Sequence, residues 1–132
     1  MPSPPLFWLI DDTHHWHQVT KASLEHWGAH RFQGFHRAES ALMALQGLPA
    51  GEEPAVIFMD YYIGADRGDV VTEEIRRHFP HLRCHIVGYS TARSGSEAIA
   101  RAGGGDTVAK HANADGLNPS LLSWLGRPPS VR

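Results

Sequence analysis

The 132-residue chain has a single cysteine, Cys84, so no disulfide can form within it. A reducing cytoplasm is the setting this usage leads one to expect, and Cys84 itself reads as a small strand residue. Charge of one sign is lacking as well. Twelve Lys and Arg stand against fourteen Asp and Glu, for a formal net charge of −2, and the basic residues are scattered. Without a basic stripe the electrostatic footprint of nucleic-acid binding is missing. Long hydrophobic runs are missing too. The N-terminal run Leu6–Ile10 is too short for the apolar core of a signal peptide and far too short to span a bilayer, so no membrane association is expected. No repeat, linker or low-complexity block interrupts the chain. It is therefore expected to be a single domain over residues 1–132, with a core at about 6–126, a frayed tail from Arg127 to Arg132 and no attached output domain.

What the chain does have is an ordinary globular balance, with 42% apolar and 20% charged residues, and enough length to bury a core. Five short apolar runs, Leu6–Ile10, a weaker Arg31–Phe35, Val56–Met59, His85–Tyr89 and Thr107–Ala109, suit buried strands. Helical spacing fills the intervals. Ala41, Leu42, Leu45 and Leu48 form one stripe, and Val71, Ile75 and Phe79 recur every fourth residue. Ser94-Gly-Ser-Glu97 matches a capping box, and Asn118-Pro119 offers an N-cap and a first-turn proline for a short last helix that Gly126 ends. Alternating strands and helices predict an α/β fold with a doubly wound parallel sheet covered on both faces. Right-handed crossovers aim the C-terminal ends of its strands at one edge, where such sheets bind ligands.

Chemistry-bearing residues stand at those strand ends. Asp11 and Asp12 follow the first run, Asp60 the third, Ser90 and Thr91 the fourth, and Lys110 the fifth. Taken singly, each has an ordinary reading: a helix cap, a turn residue, a surface lysine. Taken together, three carboxylates in one crevice repel one another unless a cation neutralises them. Mg²⁺ suits such a set, since it takes a few carboxylates and keeps room for water and a phosphate. Lys110 adds a fixed positive charge and Ser90 a hydroxyl donor. Asp60, alone at the tip of the most apolar run, is the expected nucleophile for an acyl phosphate.

These residues make the sequence resemble a response-regulator receiver domain of the single-domain chemotaxis type, from Leu6 to about Gly126. The acidic pair, Asp60, Ser90 and Lys110 each fall on a family position, thirty residues separating 60 from 90 and twenty separating 90 from 110. Gly68, eight residues past Asp60, matches the glycine that closes the family's loop after the third strand. The resemblance implies five strands in the flavodoxin-like order 2-1-3-4-5. It implies Asp60 as the phosphoacceptor and Mg²⁺ held by Asp12, Asp60 and the backbone carbonyl of Tyr62, with Asp11 in support. It further implies Lys110 on the phosphoryl oxygens and Ser90 as the switch hydroxyl, a place Thr91 can also take, although spacing favours Ser90. Tyr62 and Ala92 would tune dephosphorylation. A histidine kinase or histidine phosphotransfer protein would donate the phosphoryl group, and an unknown downstream protein would read it. The protein would act on no other substrate.

The sequence departs from the family where the lysine is usually followed by proline, since His111 follows Lys110. A cis bond before a non-proline residue costs about 2.5–4 kcal/mol, so a trans Lys110–His111 bond is expected. Thr107 stands where an aromatic is common, and the last helix is short, so the usual relay of the signal is altered. A phosphorylation-independent interaction module is the alternative reading. An aspartyl-phosphate phosphatase is a further rival, but it would carry a second Asp two residues after the nucleophile, where this chain has Tyr62. Ten histidines include the run Thr-His14-His-Trp-His17. A transition-metal site needs more ligands than His14 and His17 supply, so these histidines read as solvated polar residues. His14, His15 and Trp16 would then rim the crevice.

Overall fold

The computed structural model describes residues 4–29 and 31–126. The tail expected to fray lies outside them. In chain order the elements are β1 (Leu6–Ile10), α1 (His14–Trp27), β2 (Arg31–Phe35), α2 (Ala38–Gln46), β3 (Val56–Met59), β4 (Tyr62–Ile63), β5 (Asp66–Arg67), α3 (Gly68–His78), β6 (His85–Gly88), α4 (Arg93–Arg101) and α5 (Pro119–Leu125). Four of the strands form one sheet in the order β2-β1-β3-β6, parallel throughout. β1 and β3 are buried at every position, which is why their sequences are continuously apolar rather than alternating.

The pleat sends alternate residues to opposite faces. Leu6, Trp8, Ile10, Ile57, Met59 and Ile86 pack with Ala41 and Leu45 of α2, Val71 and Ile75 of α3 and Ile99 of α4. Phe7, Leu9, Val56, Phe58 and Val87 pack with Leu24 of α1 and Leu121, Trp124 and Leu125 of α5. Helices thus cover both faces, as expected. β2 is the edge strand and only half-buried, which accounts for its weak apolar signal.

The fifth strand is reduced. Thr107–Ala109 takes its place beside β6 but pairs through one isolated bridge, Gly88↔Thr107. Three hydrogen bonds hold it there: Gly105 N–H to Ile86 O (3.3 Å), Gly88 N–H to Asp106 O (3.0 Å) and Val108 N–H to Gly88 O (2.9 Å). The ladder stops because the next donor is diverted, the Ser90 N–H binding the Ser96 hydroxyl at 3.0 Å instead. For the same reason β6 ends at Gly88 and not at Tyr89.

The expected capping box is absent. α4 begins at Arg93 behind Ala92, which offers no side-chain cap, because the Ser90 hydroxyl turns the chain earlier by accepting the Ala92 N–H at 3.1 Å. α2 stops at Gln46, so Leu48 packs from the loop beyond it. Cys84 is buried one residue before β6 rather than within it. Asn118 caps α5 as expected, its side chain accepting from the N–H groups of Ser120 and Leu121. The hairpin of β4 and β5 was not foreseen; Gly64 turns it with φ +62°, the sign a type II′ turn needs at its first position.

Candidate functional site

β1 delivers Asp11 and Asp12 to the C-terminal edge of the sheet, and β3 delivers Asp60 beside them. Backbone bonds fix both chain ends: Asp11 N–H donates to Phe35 O (2.9 Å) and Asp60 N–H to Ile10 O (3.0 Å). Asp11 is fully buried, and its Oδ1 accepts the Thr13 N–H at 2.9 Å. Asp60 Oδ1 accepts the Tyr61 N–H at 2.8 Å. Exposed Asp12 is steadied by the hairpin, its Oδ2 accepting the Gly64 N–H at 2.9 Å. Oxygens of Asp11, Asp12 and Asp60 lie within 4.8 Å of one another.

Lys110 enters from beyond the bridge. Its ammonium forms an ion pair with Asp11 Oδ2 and lies 3.1 Å from Asp60 Oδ1. The Lys110–His111 peptide is trans, as expected, no cis bond occurring among the described residues. Three carboxylates against one ammonium leave the crevice short of positive charge. Asp60 registers this: burial above all pushes its carboxyl up to about 6, with Lys110 pulling it down and Asp11 pushing it further up. Closely set, hard oxygen donors with uncompensated charge suit a divalent cation, and exposed Asp12 keeps one side open to solvent.

A close approach shapes the loop after Asp60. A Cβ on Gly68 would lie 2.0 Å from the Asp60 carbonyl oxygen, and the Gly68 N–H donates to Tyr61 O at 2.6 Å. Only glycine lets α3 begin this near the acidic strand end. Tyr62, in β4, is 66% exposed, its ring edge-on to that of Tyr61 at 4.7 Å.

Ser90 is buried, whereas Thr91 and Ala92 are exposed. Ser90, Thr91, Thr107, Lys110 and His111 border a cavity of about 510 Å³ between α4 and the bridged segment. Tyr89 completes the surroundings of Lys110, its ring centroid 5.6 Å from the ammonium. Its hydroxyl is hydrogen-bonded to the Thr20 hydroxyl (3.0 Å) and accepts from Asn118 Nδ2 (3.1 Å). Tyr89 reads as a plain core residue in the sequence, and nothing there signals these partners. Trp16, expected at the rim, stands 5.3 Å from the same ammonium.

The histidines are not all solvated. His17 is buried, stacked on His36 at 4.0 Å, and its Nε2 donates to Asp11 O at 2.7 Å. Burial holds its imidazole below the ordinary range. His14 stacks on His36 at 5.9 Å. Among the described residues only the three aspartates gather as a metal-ligating group, so His17 serves to pin the Asp11 backbone. No described helix is long and apolar enough to cross a membrane.

No family model matches the sequence, and no curated protein matches it. Solved structures do. The Mn²⁺-bound form of response regulator Rcp1 is similar at 20% identity and a TM-score of 0.75, over 95% of this chain and 97% of that one. A CheY-like receiver domain protein from Methanospirillum hungatei JF-1 is similar at 17% identity and 0.72, over 93% and 91%. The BeF3-activated DrrB receiver domain is similar at 18% identity and 0.66, over 93% and 95%. The chain has the fold of response-regulator receiver domains.

Proposed function

We propose that this receiver-fold chain is the phosphoacceptor of a two-component phosphorelay, with Asp60 as the residue modified. The observation that carries the reading is the Asp60 carboxylate at the mouth of the crevice, 3.1 Å from the Lys110 ammonium and grouped with Asp11 and Asp12. In the proposed step an Asp60 oxygen attacks the phosphorus of a phosphohistidine on a histidine kinase or phosphotransfer protein. The P–N bond breaks, the imidazole leaves as the neutral base after taking up a proton, and an acyl phosphate remains on Asp60. Lys110 and the Ser90 hydroxyl hold the phosphoryl oxygens as charge builds on them. Asp12 and Asp60 would hold Mg²⁺ with the Tyr62 carbonyl, Asp11 supporting. When bound, the ion neutralises charge between acceptor and phosphoryl group. One neighbouring structure is Mn²⁺-bound and another BeF3-activated, which fits this reading. Binding of a downstream protein would change with modification, and the chain would turn over no other substrate. A cytoplasmic setting accords with the lone buried thiol.

The test is labelling with a small phosphodonor. Wild type takes a base- and hydroxylamine-labile label that EDTA prevents, and Asp60→Asn takes none while remaining folded. Label that persists in Asp60→Asn or in EDTA refutes the mechanism. The reduced fifth strand favours one other reading, an interaction module that keeps the fold and ignores phosphorylation. Beryllofluoride with Mg²⁺ separates the two, since NMR shifts around Asp60 and Ser90 appear only if the crevice takes up the phosphoryl mimic.

A further inference from the structure

Lys110 must place its ammonium accurately from an unusual base. The sheet ladder ends at the Gly88–Thr107 bridge, so no strand pairing holds the backbone at residue 110. A four-carbon stem adds rotational freedom of its own. The ammonium is nevertheless buried, its side chain 3% exposed. Two carboxylates account for one side of it. Two aromatic rings also border it, Trp16 at 5.3 Å and Tyr89 at 5.6 Å.

The two rings differ in how they are held. Tyr89 is fixed in the core by its hydroxyl bonds to Thr20 and Asn118. Trp16 sits in the first turn of α1, its backbone N–H bonded to Thr13 O at 3.1 Å, and packs, partly buried, against the core cluster that includes Phe7 and Leu24. The turn that sets Asp11 and Asp12 therefore also sets this ring. An indole face attracts an ammonium more strongly than any other side-chain ring, and more so where water is excluded.

We infer that Trp16 is a positioning residue for the phosphoryl chemistry, its ring holding the Lys110 ammonium toward Asp60. The inference rests on the phosphoacceptor reading of Asp60. The ring lies within cation–π range of the buried ammonium, so it keeps a hold on the charge when one carboxylate oxygen is spent in bonding to phosphorus. Apolar packing alone would ask only for a side chain of similar bulk at position 16; holding the cation asks for an aromatic face.

The full chain is compared as wild type, Trp16→Phe and Trp16→Leu, each checked for cooperative unfolding. Labelling by phosphoramidate is followed across donor concentrations at saturating Mg²⁺. Trp16→Leu is expected to lower the maximal rate about tenfold, equivalent to about 1.4 kcal/mol in the barrier, with the half-saturating donor concentration within about twofold of wild type. Trp16→Phe is expected to recover most of the rate. Leu labelling at the wild-type rate, or Phe and Leu equally impaired, overturns the inference. A second readout stands apart from phosphorylation. The chain has only two lysines, Lys21 and Lys110, so ¹³C-lysine spectra resolve the Lys110 ε-methylene with Lys21 as internal reference. Its ring-current shift, to which Tyr89 also contributes, should fall in Trp16→Leu and be largely kept in Trp16→Phe. If wild type takes no label, the phosphoacceptor reading fails while this shift still decides the ring contact; an unchanged shift in Trp16→Leu overturns the inference by itself.

Discussion

Removing the charge of Asp60 should stabilise the resting protein. Its carboxyl is raised from the usual 3.8 to about 6, burial being the largest cause, so ionising it in the folded state costs stability. Full burial would make that cost about 3 kcal/mol at neutral pH, and contact with water at the crevice mouth brings it nearer about 2 kcal/mol. Asp60→Asn keeps an oxygen for the Tyr61 N–H and leaves Lys110 its ion pair with Asp11. In the absence of divalent cations the variant should therefore unfold roughly 5–10 °C higher at pH 7. The sign of the pH dependence follows from linkage. Protonated Asp60 is harmless below about pH 4, and wild type loses stability as pH rises through about 6, where the folded-state group ionises. The gain in the variant should accordingly be near zero at pH 4 and complete by pH 7. Thermal melts with a chelator, at half-unit pH intervals, measure this directly. A variant less stable than wild type at pH 7 would refute the reasoning and show that Lys110 needs both carboxylates more than Asp60 resists burial.

On the phosphoacceptor reading, in which the exposed Tyr62 ring would shield phosphorus from water, Tyr62→Asn should shorten the life of the acyl phosphate by about tenfold, a barrier change of about 1.4 kcal/mol. Slower loss at equal Mg²⁺ would mean that the tyrosine assists hydrolysis. Gly68→Ala should cost about 2–4 kcal/mol in urea denaturation, since the new methyl would meet the Asp60 carbonyl at 2.0 Å; a loss under about 1 kcal/mol would show that this loop yields. Tyr89→Phe removes the hydroxyl shared by Thr20 and Asn118 and should cost about 1–2 kcal/mol with an unchanged denaturant slope. An unshifted urea midpoint would refute a structural role for that hydroxyl.

The four paired strands were legible because a buried parallel strand writes its burial into every residue, as Val56–Met59 does. Thr107–Ala109 takes its expected place beside β6 but pairs through one bridge only, because the extent of its pairing is decided elsewhere. The donor that would extend the ladder, the Ser90 amide, goes to the Ser96 hydroxyl, and no periodicity in either segment records that competition. The supposed capping box at Ser94 failed for a related reason, the turn being made by Ser90 on the Ala92 amide. Asp11, Asp12, Asp60 and Lys110 were legible as a group because chain topology alone sends strand ends to one edge. The second layer was not. Tyr89 meets Thr20 across 69 residues of sequence, Gly64 reaches Asp12 across 52, and His17 turns inward from a histidine-rich run that looks solvated.

The bridged segment carries a mechanical consequence. A full edge strand would lock residues 107–110 to β6 along its length and damp any pull from the crevice. Here one bridge holds the near end, ion pairs at Asp11 and Asp60 hold the far end, and Ala109 O is tied by Asn118 to the start of α5 at 2.9 Å. His111, next to the lysine, adds a second link by its ring to Ser120 of α5 at 2.8 Å, so the lysine is coupled to the last helix through side-chain hydrogen bonds rather than through a strand. On the phosphoacceptor reading, a change of charge at Asp60 would draw on these few hydrogen bonds rather than on a rigid sheet.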